Sequence, residues 1–179
     1  MRHPYVLDMS IHHFDLIRAA TGRDVRSVFA RSSRVPDSPF VHHPAVVAVL
    51  DLDGGVPVFY EGDWATLERE TSWNGEWEII GEGGRLLWTG DTEDRGRGQV
   101  LLQKWGEKPL LVRQQGLDYA ERMATLQALR EAIESGGRPE TAAADNVKSL
   151  AAVLGCARSI ENGDRVDVAA LLAAGSAKL

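Results

Sequence analysis

One cysteine, Cys156, stands in a chain of 179 residues, so an intrachain disulfide is impossible and a zinc cluster built on cysteines is excluded. Basic residues are also in deficit. Twenty Lys and Arg against 26 Asp and Glu give a formal net charge of −6, which offers no electrostatic footprint for nucleic acid or anionic lipid. Long apolar runs are missing: Ala45–Leu50 is far shorter than the roughly 20 residues that a bilayer span needs. At Met1–Asp8 no basic segment precedes a long apolar stretch, so no secretory signal is visible. Internal repeats and low-complexity tracts are absent too. A cytoplasmic protein with neither nucleic-acid nor membrane partners is the expectation left standing.

What is present suits a folded domain. The residues are 44% hydrophobic and 26% charged, ordinary values for a soluble chain, and the length fits one domain with its own core. Met9–Thr21 carries Ile11, Phe14, Leu16, Ile17 and Ala20 near helical spacing, with Asp8 placed to cap its start and Gly22 its end. Strand patterns follow at Val25–Ser32, Val46–Leu52, Val56–Trp64, Glu76–Gly81, Arg85–Thr89, Gln99–Lys104 and Leu110–Gln114. Asp53-Gly54-Gly55 between the second and third predicts a hairpin. Helical periodicity returns at Tyr119–Ser135 and Asp145–Asn162, and Val168–Ala174 reads as a short turn-forming segment. Strands grouped before helices predict an α+β fold: a large, mostly antiparallel sheet with helices packed on one face. The other face is left open for contacts with another protein surface. Arg31–Pro44, with three prolines, is expected to be an irregular loop lining a site.

Two sets of side chains invite chemistry. Asp8 and His12 stand four apart, hence on one face of a helix beginning near residue 8. A carboxylate beside an imidazole orients the ring and stabilises its protonated form, as a general acid/base requires. The plainer alternative is that Asp8 only caps the helix while His12 or His13 faces solvent. The five histidines (His3, His12, His13, His42 and His43) admit a metal hydrolase combining His12 with His42 or His43 and a carboxylate, although adjacent histidines in a strand point to opposite faces. Gly81-Glu82-Gly83-Gly84 is followed by a β-like segment with no helix, so it predicts a hairpin turn and not a dinucleotide fingerprint. The five tryptophans fall in the strand region as core or interface residues, with one or two as alternative walls of a sugar pocket, and Cys156 lies in an apolar helical stripe as inert packing.

Leu7-Asp8-Met9-Ser10-Ile11-His12-His13-Phe14-Asp15-Leu16, running to Gly22, resembles the helix that opens the active site of the Gfo/Idh/MocA oxidoreductases. Three later features resemble that family's carboxyl-terminal domain in the same order. These are Ile79-Ile80-Gly81-Glu82-Gly83-Gly84-Arg85-Leu86, Gly136-Gly137-Arg138-Pro139, and Ala157-Arg158-Ser159-Ile160-Glu161-Asn162-Gly163 leading to Val166. The resemblance covers residues 5–168 and implies a sheet backed by helices whose open face serves a homo-oligomer. It implies oxidation of a secondary alcohol on a sugar, cyclitol or similar polyol with NAD or NADP. His12 matches the family's acid/base, Asp8 the carboxylate that accompanies it, and Asp15 a position of structural character.

The departures are equally specific. The family's amino-terminal Rossmann domain, its glycine-rich phosphate turn and the strand ahead of the active-site helix have no counterpart here. Glu107-Lys108-Pro109 spells the family's lysine motif between two late strands, where it is a coincidence and Lys108 an exposed turn residue. The resemblance therefore implies a single substrate-binding and oligomerisation domain, inactive alone and dependent on a separate or missing Rossmann domain. No residue of this chain is assigned to a cofactor or a metal. The competing expectation is a non-catalytic binding or scaffold domain using the same sheet.

Overall fold

A computed structural model describes residues 1–34, 38–65, 70–89, 98–113 and 121–176. In chain order the elements are α1 (Pro4–Asp8), α2 (Ser10–Thr21), β1 (Val25–Ser33), β2 (Ala45–Leu52), β3 (Pro57–Asp63), β4 (Trp77–Gly81) and β5 (Gly84–Trp88). They continue with β6 (Val100–Lys104), β7 (Leu110–Leu111), α3 (Glu121–Ser135), α4 (Ala143–Asn162), β8 (Val166–Asp167) and α5 (Val168–Ser176). The fold is α+β and its described strand pairs are antiparallel. The strands divide between two four-stranded sheets, ordered β3-β2-β1-β8 and β4-β5-β6-β7, where the sequence suggests one run. The chain correspondingly forms two compact units, Met1–Thr66 with Thr125–Leu179, and Leu67–Ala124.

In the first unit the β2–β3 hairpin turns at Asp53-Gly54-Gly55, and both glycines are left-handed, with φ of 77° and 75°. A side chain resists that conformation, so the glycine pair fixes the turn and with it the register that sets Leu50 opposite Val58. Period-2 alternation then sorts the strands. Val28 and Ala30 of β1 and Val46, Ala48, Leu50 and Leu52 of β2 are buried on the inner face. Helix α4 packs against β1, and Ser159 is shared between them. Its hydroxyl accepts the Ala30 N–H at 2.9 Å and donates to the Asp164 carbonyl at 2.6 Å. Strand β8 pairs with β1 at Ser27↔Asp167 and Val28↔Val166, so late residues complete the edge of an early strand.

The opposite face of this sheet carries Phe29, Arg31, Val47, Val49, Phe59 and Glu61 around an open depression of about 350 Å³. Phe59 is 82% exposed and Val47 53%. Register aligns Phe29, Val49 and Phe59 in one cross-strand row and Arg31, Val47 and Glu61 in the next. The Arg31 guanidinium lies 4.5 Å above the Phe29 ring, a cation–π contact.

The second unit is a meander. Trp77 and Trp88 face each other across β4 and β5, their rings stacked at 6.0 Å. Lys108 is exposed in the connection from β6 to β7, as expected. The strand expected to reach Gln114 is described only at Leu110–Leu111, and residues 90–97 of the Gly90–Gly98 segment lie outside the described residues. The helix expected from Tyr119 is described from Glu121, and residues 35–37 of the Arg31–Pro44 loop are likewise outside.

Three elements correct the sequence reading. Pro4 starts a five-residue helix, α1, because its fixed φ suits a first helical turn. The Val168–Ala174 segment is a true helix, α5, and β8 is too short for its periodicity to register. Among the described residues no helix is long and apolar enough to cross a membrane.

Candidate functional site

Helix α2 begins without a polar cap. The chain is already helical from Pro4, so Asp8 is the last residue of α1, and Met9 occupies the cap position of α2 with no side-chain hydrogen bond. The expectation that Asp8 caps this helix is therefore corrected. Met9, at φ −101° and ψ −44°, makes the joint between the helices while its N–H still reaches the Tyr5 carbonyl at 2.8 Å. The helix closes at Gly22, whose N–H bonds the Arg18 carbonyl.

Periodicity sorts the side chains of α2. Ser10, His13, Phe14 and Ile17 follow i, i+3, i+4, i+7 spacing and are buried. His12, one position before His13, is exposed, and so is Asp8. His13 Nδ1 lies 2.9 Å from the Tyr60 hydroxyl on β3. That hydroxyl is also 3.1 Å from Ser10 Oγ and 3.3 Å from the Tyr5 hydroxyl. The Tyr60 ring meets the edge of Phe14 at 5.1 Å. Tyr5 continues the cluster, edge-on to Trp64 at 5.5 Å. Burial is the largest influence on the Tyr60 phenol and drives its pKa well above the ordinary value, so the group remains a neutral hydroxyl. His12 thus stands outward beside a polar cluster that faces inward. Sequence periodicity could not separate the two adjacent histidines, and nothing near residue 60 marks Tyr60 as their partner.

Further along α2, Arg18 is buried and heavily bonded. It donates to Asp24 Oδ1 at 2.9 Å, Ser149 Oγ at 2.8 Å and Asp145 Oδ1 at 2.9 Å. Asp15 accepts from Ser149 Oγ at 2.5 Å and lies 3.3 Å from Arg18. Lys148 closes on Asp24 at 2.7 Å. Asp15 is thereby a structural residue joining α2 to α4, in line with its expected character. At the other end His3 Nε2 stands 3.5 Å from Glu161 Oε1, so α1 meets the end of α4.

Other candidates disperse. His42 and His43 are exposed ahead of β2, with His43 Nδ1 3.2 Å from Ser32 Oγ. Among the described residues no three His, Cys, Asp or Glu side chains gather as metal ligands would. Cys156 is buried, and that burial pushes its thiol up to about 12, which suits inert packing. Glu82 and Gly83 form the turn of the β4–β5 hairpin. The described residues therefore contain no parallel strand pair and no glycine turn leading from a strand into a helix, and do not fit a dinucleotide.

Residues 4–87, which hold Asp8, His12 and the first three strands, match the profile of the GFO/IDH/MocA C-terminal domain. This segment is similar to that family's domain. The solved structures that share the fold include an oxidoreductase from Agrobacterium radiobacter in complex with NAD+, L-tartaric acid and magnesium. It is 24% identical, with a TM-score of 0.73, over 94% of this chain and 52% of that one. An aldose-aldose oxidoreductase from Caulobacter crescentus complexed with glycerol is 20% identical, with a TM-score of 0.76, over 90% of this chain and 47% of that one. A candidate NADPH-dependent oxidoreductase from Desulfitobacterium hafniense is 16% identical, with a TM-score of 0.75, over 92% of this chain and 48% of that one. The chain spans about half the length of these solved structures. No curated protein sequence matches it significantly.

Proposed function

We propose that this chain is the substrate-binding and oligomer-forming domain of a cytoplasmic NAD(P)-dependent oxidoreductase. The substrate would be a secondary alcohol on a sugar, cyclitol or similar polyol. The observation that carries the reading is the exposure of His12 on the first turn of α2, four residues after exposed Asp8, inside the segment matched to the family. The tartaric acid and glycerol found with the two fold relatives are polyhydroxylated, which supports the substrate class.

NAD or NADP would supply the redox chemistry from a dinucleotide-binding domain outside the described residues, so this chain is inactive alone. Its own contribution is proton handling. His12 accepts the hydroxyl proton while the alcohol carbon is oxidised, and returns a proton in the reverse direction. Asp8 is the carboxylate proposed to accompany it. The open face around Phe59 would meet a second copy, because an exposed apolar sheet face gains from being covered.

The test joins the chain to a Rossmann domain and assays polyol oxidation. His12→Ala should lower kcat about 10²–10⁴-fold, the usual contribution of a positioned acid/base. An enzyme with undiminished turnover after that change would refute the assignment.

A further inference from the structure

We propose that Tyr60 is a positioning residue, which through Ser10 and His13 fixes the direction in which His12 leaves α2. The inference rests on the acid/base role of His12 proposed above, and it adds a residue from a different element, β3.

The first reason lies in what α2 lacks. No side chain caps its start, and Met9 breaks its continuity with α1. An uncapped first turn frays unless tertiary contacts hold it. Those contacts converge on one atom. The Tyr60 hydroxyl is within hydrogen-bond distance of Ser10 Oγ at 3.1 Å and His13 Nδ1 at 2.9 Å. Ser10 and His13 are three apart, the two inward positions of that turn, and both are buried. Between them in sequence, His12 is swept outward by about 100° per residue of helical rotation. Tying both flanking positions to one strand therefore fixes the rotational phase of the turn. The geometry of a proton-transferring group must be held within about 0.5 Å and 10–20°.

The second reason is the hydroxyl itself. Packing against Phe14 would be served equally by a phenyl ring, yet a polar atom is buried here, which costs free energy unless it is bonded. Three partners satisfy it, and the Tyr5 hydroxyl at 3.3 Å is the third. Tyr5 belongs to α1, so one strand residue spans both sides of the Met9 joint.

The experiment uses the 179-residue chain and its Tyr60→Phe variant. Amide hydrogen exchange at Ser10–Phe14 should accelerate about tenfold in the variant, while Ile17–Thr21 keeps its wild-type rate. Equal exchange of the first turn in both proteins would overturn the proposal. Should Tyr60→Phe not fold, Ser10→Ala removes a single tie and should loosen the same turn alone; an unchanged turn there also overturns it. In the enzyme joined to a Rossmann domain, Tyr60→Phe should lower kcat about tenfold with KM unchanged, whereas a merely destabilised fold would lower the active fraction and leave turnover per folded molecule intact. Retained activity in His12→Ala would refute the acid/base role without touching the exchange result, so the two failures are distinguishable.

Discussion

Arg18 of α2 donates to Ser149 of α4 at 2.8 Å, and the same guanidinium holds Asp24 and Asp145 at 2.9 Å each. One side chain thereby ties the helix that presents His12 to the helix that packs on β1. Arg18→Met should destabilise the chain by about 2–3 kcal/mol, since its charge-assisted bonds are lost and Asp24 and Asp145 keep only Lys148 as a cation. The carboxylates are partly exposed and water recovers some of the loss, which keeps the cost below that of a fully buried pair. Urea denaturation should show a lower midpoint at constant slope.

Acid should act on the same cluster. For Asp24 the largest influence, burial, raises the pKa, but hydrogen bonds from Lys148 and Arg18 together with their charges outweigh it and leave the carboxyl below its ordinary 3.8. Asp145 is lowered too, chiefly by its bond to Arg18. A carboxyl depressed in the folded state contributes stability that is complete above its unfolded pKa and is lost as pH falls through the folded value. Stability should therefore hold above about pH 5 and fall below about pH 4. Asp24→Asn should flatten that fall in an acid titration followed by circular dichroism.

Neighbouring histidines should respond oppositely. His12→Ala removes an exposed ring and should change stability by less than about 0.5 kcal/mol. His13→Ala empties a buried position and leaves the Tyr60 hydroxyl short of a partner, which should cost about 2 kcal/mol. Thermal melts of the two variants compare them directly.

Gly62 lies under the Tyr5 ring, where an added Cβ would come to 2.2 Å from the ring carbons. Gly62→Ala should cost about 1–3 kcal/mol through overpacking. Much of this should disappear in a Tyr5→Ala background, because the two residues share one space, and a double-mutant cycle in urea measures the coupling.

On the open sheet face, Phe59→Lys should weaken self-association at least tenfold without altering the melting temperature. Sedimentation velocity over a concentration series reads both states. A wild-type chain that stays monomeric at about 100 μM would remove the proposed homo-oligomer.

Legibility in the sequence followed the strength of local signals. Asp53-Gly54-Gly55 demanded a tight turn between two apolar runs, so the β2–β3 hairpin and its sorted faces could be read directly. Gly22 marked the end of α2 for a similar reason. The start of that helix is not legible, because Asp8 is chemically a good cap and only the earlier helical turn at Pro4 removes it from that role. His12 and His13 are the same residue type at adjacent positions, and Tyr60, which buries one of them, lies 47 residues beyond His13. Arg18 follows Ile17 on the buried face of α2, where its partners Asp145 and Ser149 are set by tertiary packing that periodicity does not encode.

Strand β8 has a consequence for biosynthesis. Val28 emerges from the ribosome long before Val166, its partner across the sheet. At about 5–20 residues per second, the delay is on the order of ten seconds. Throughout that interval the nascent β1 carries a backbone edge without its native neighbour, a template for pairing with other chains. Completion of this sheet edge therefore waits on the synthesis of residue 166, and chaperone occupancy during synthesis should be concentrated before that residue is released.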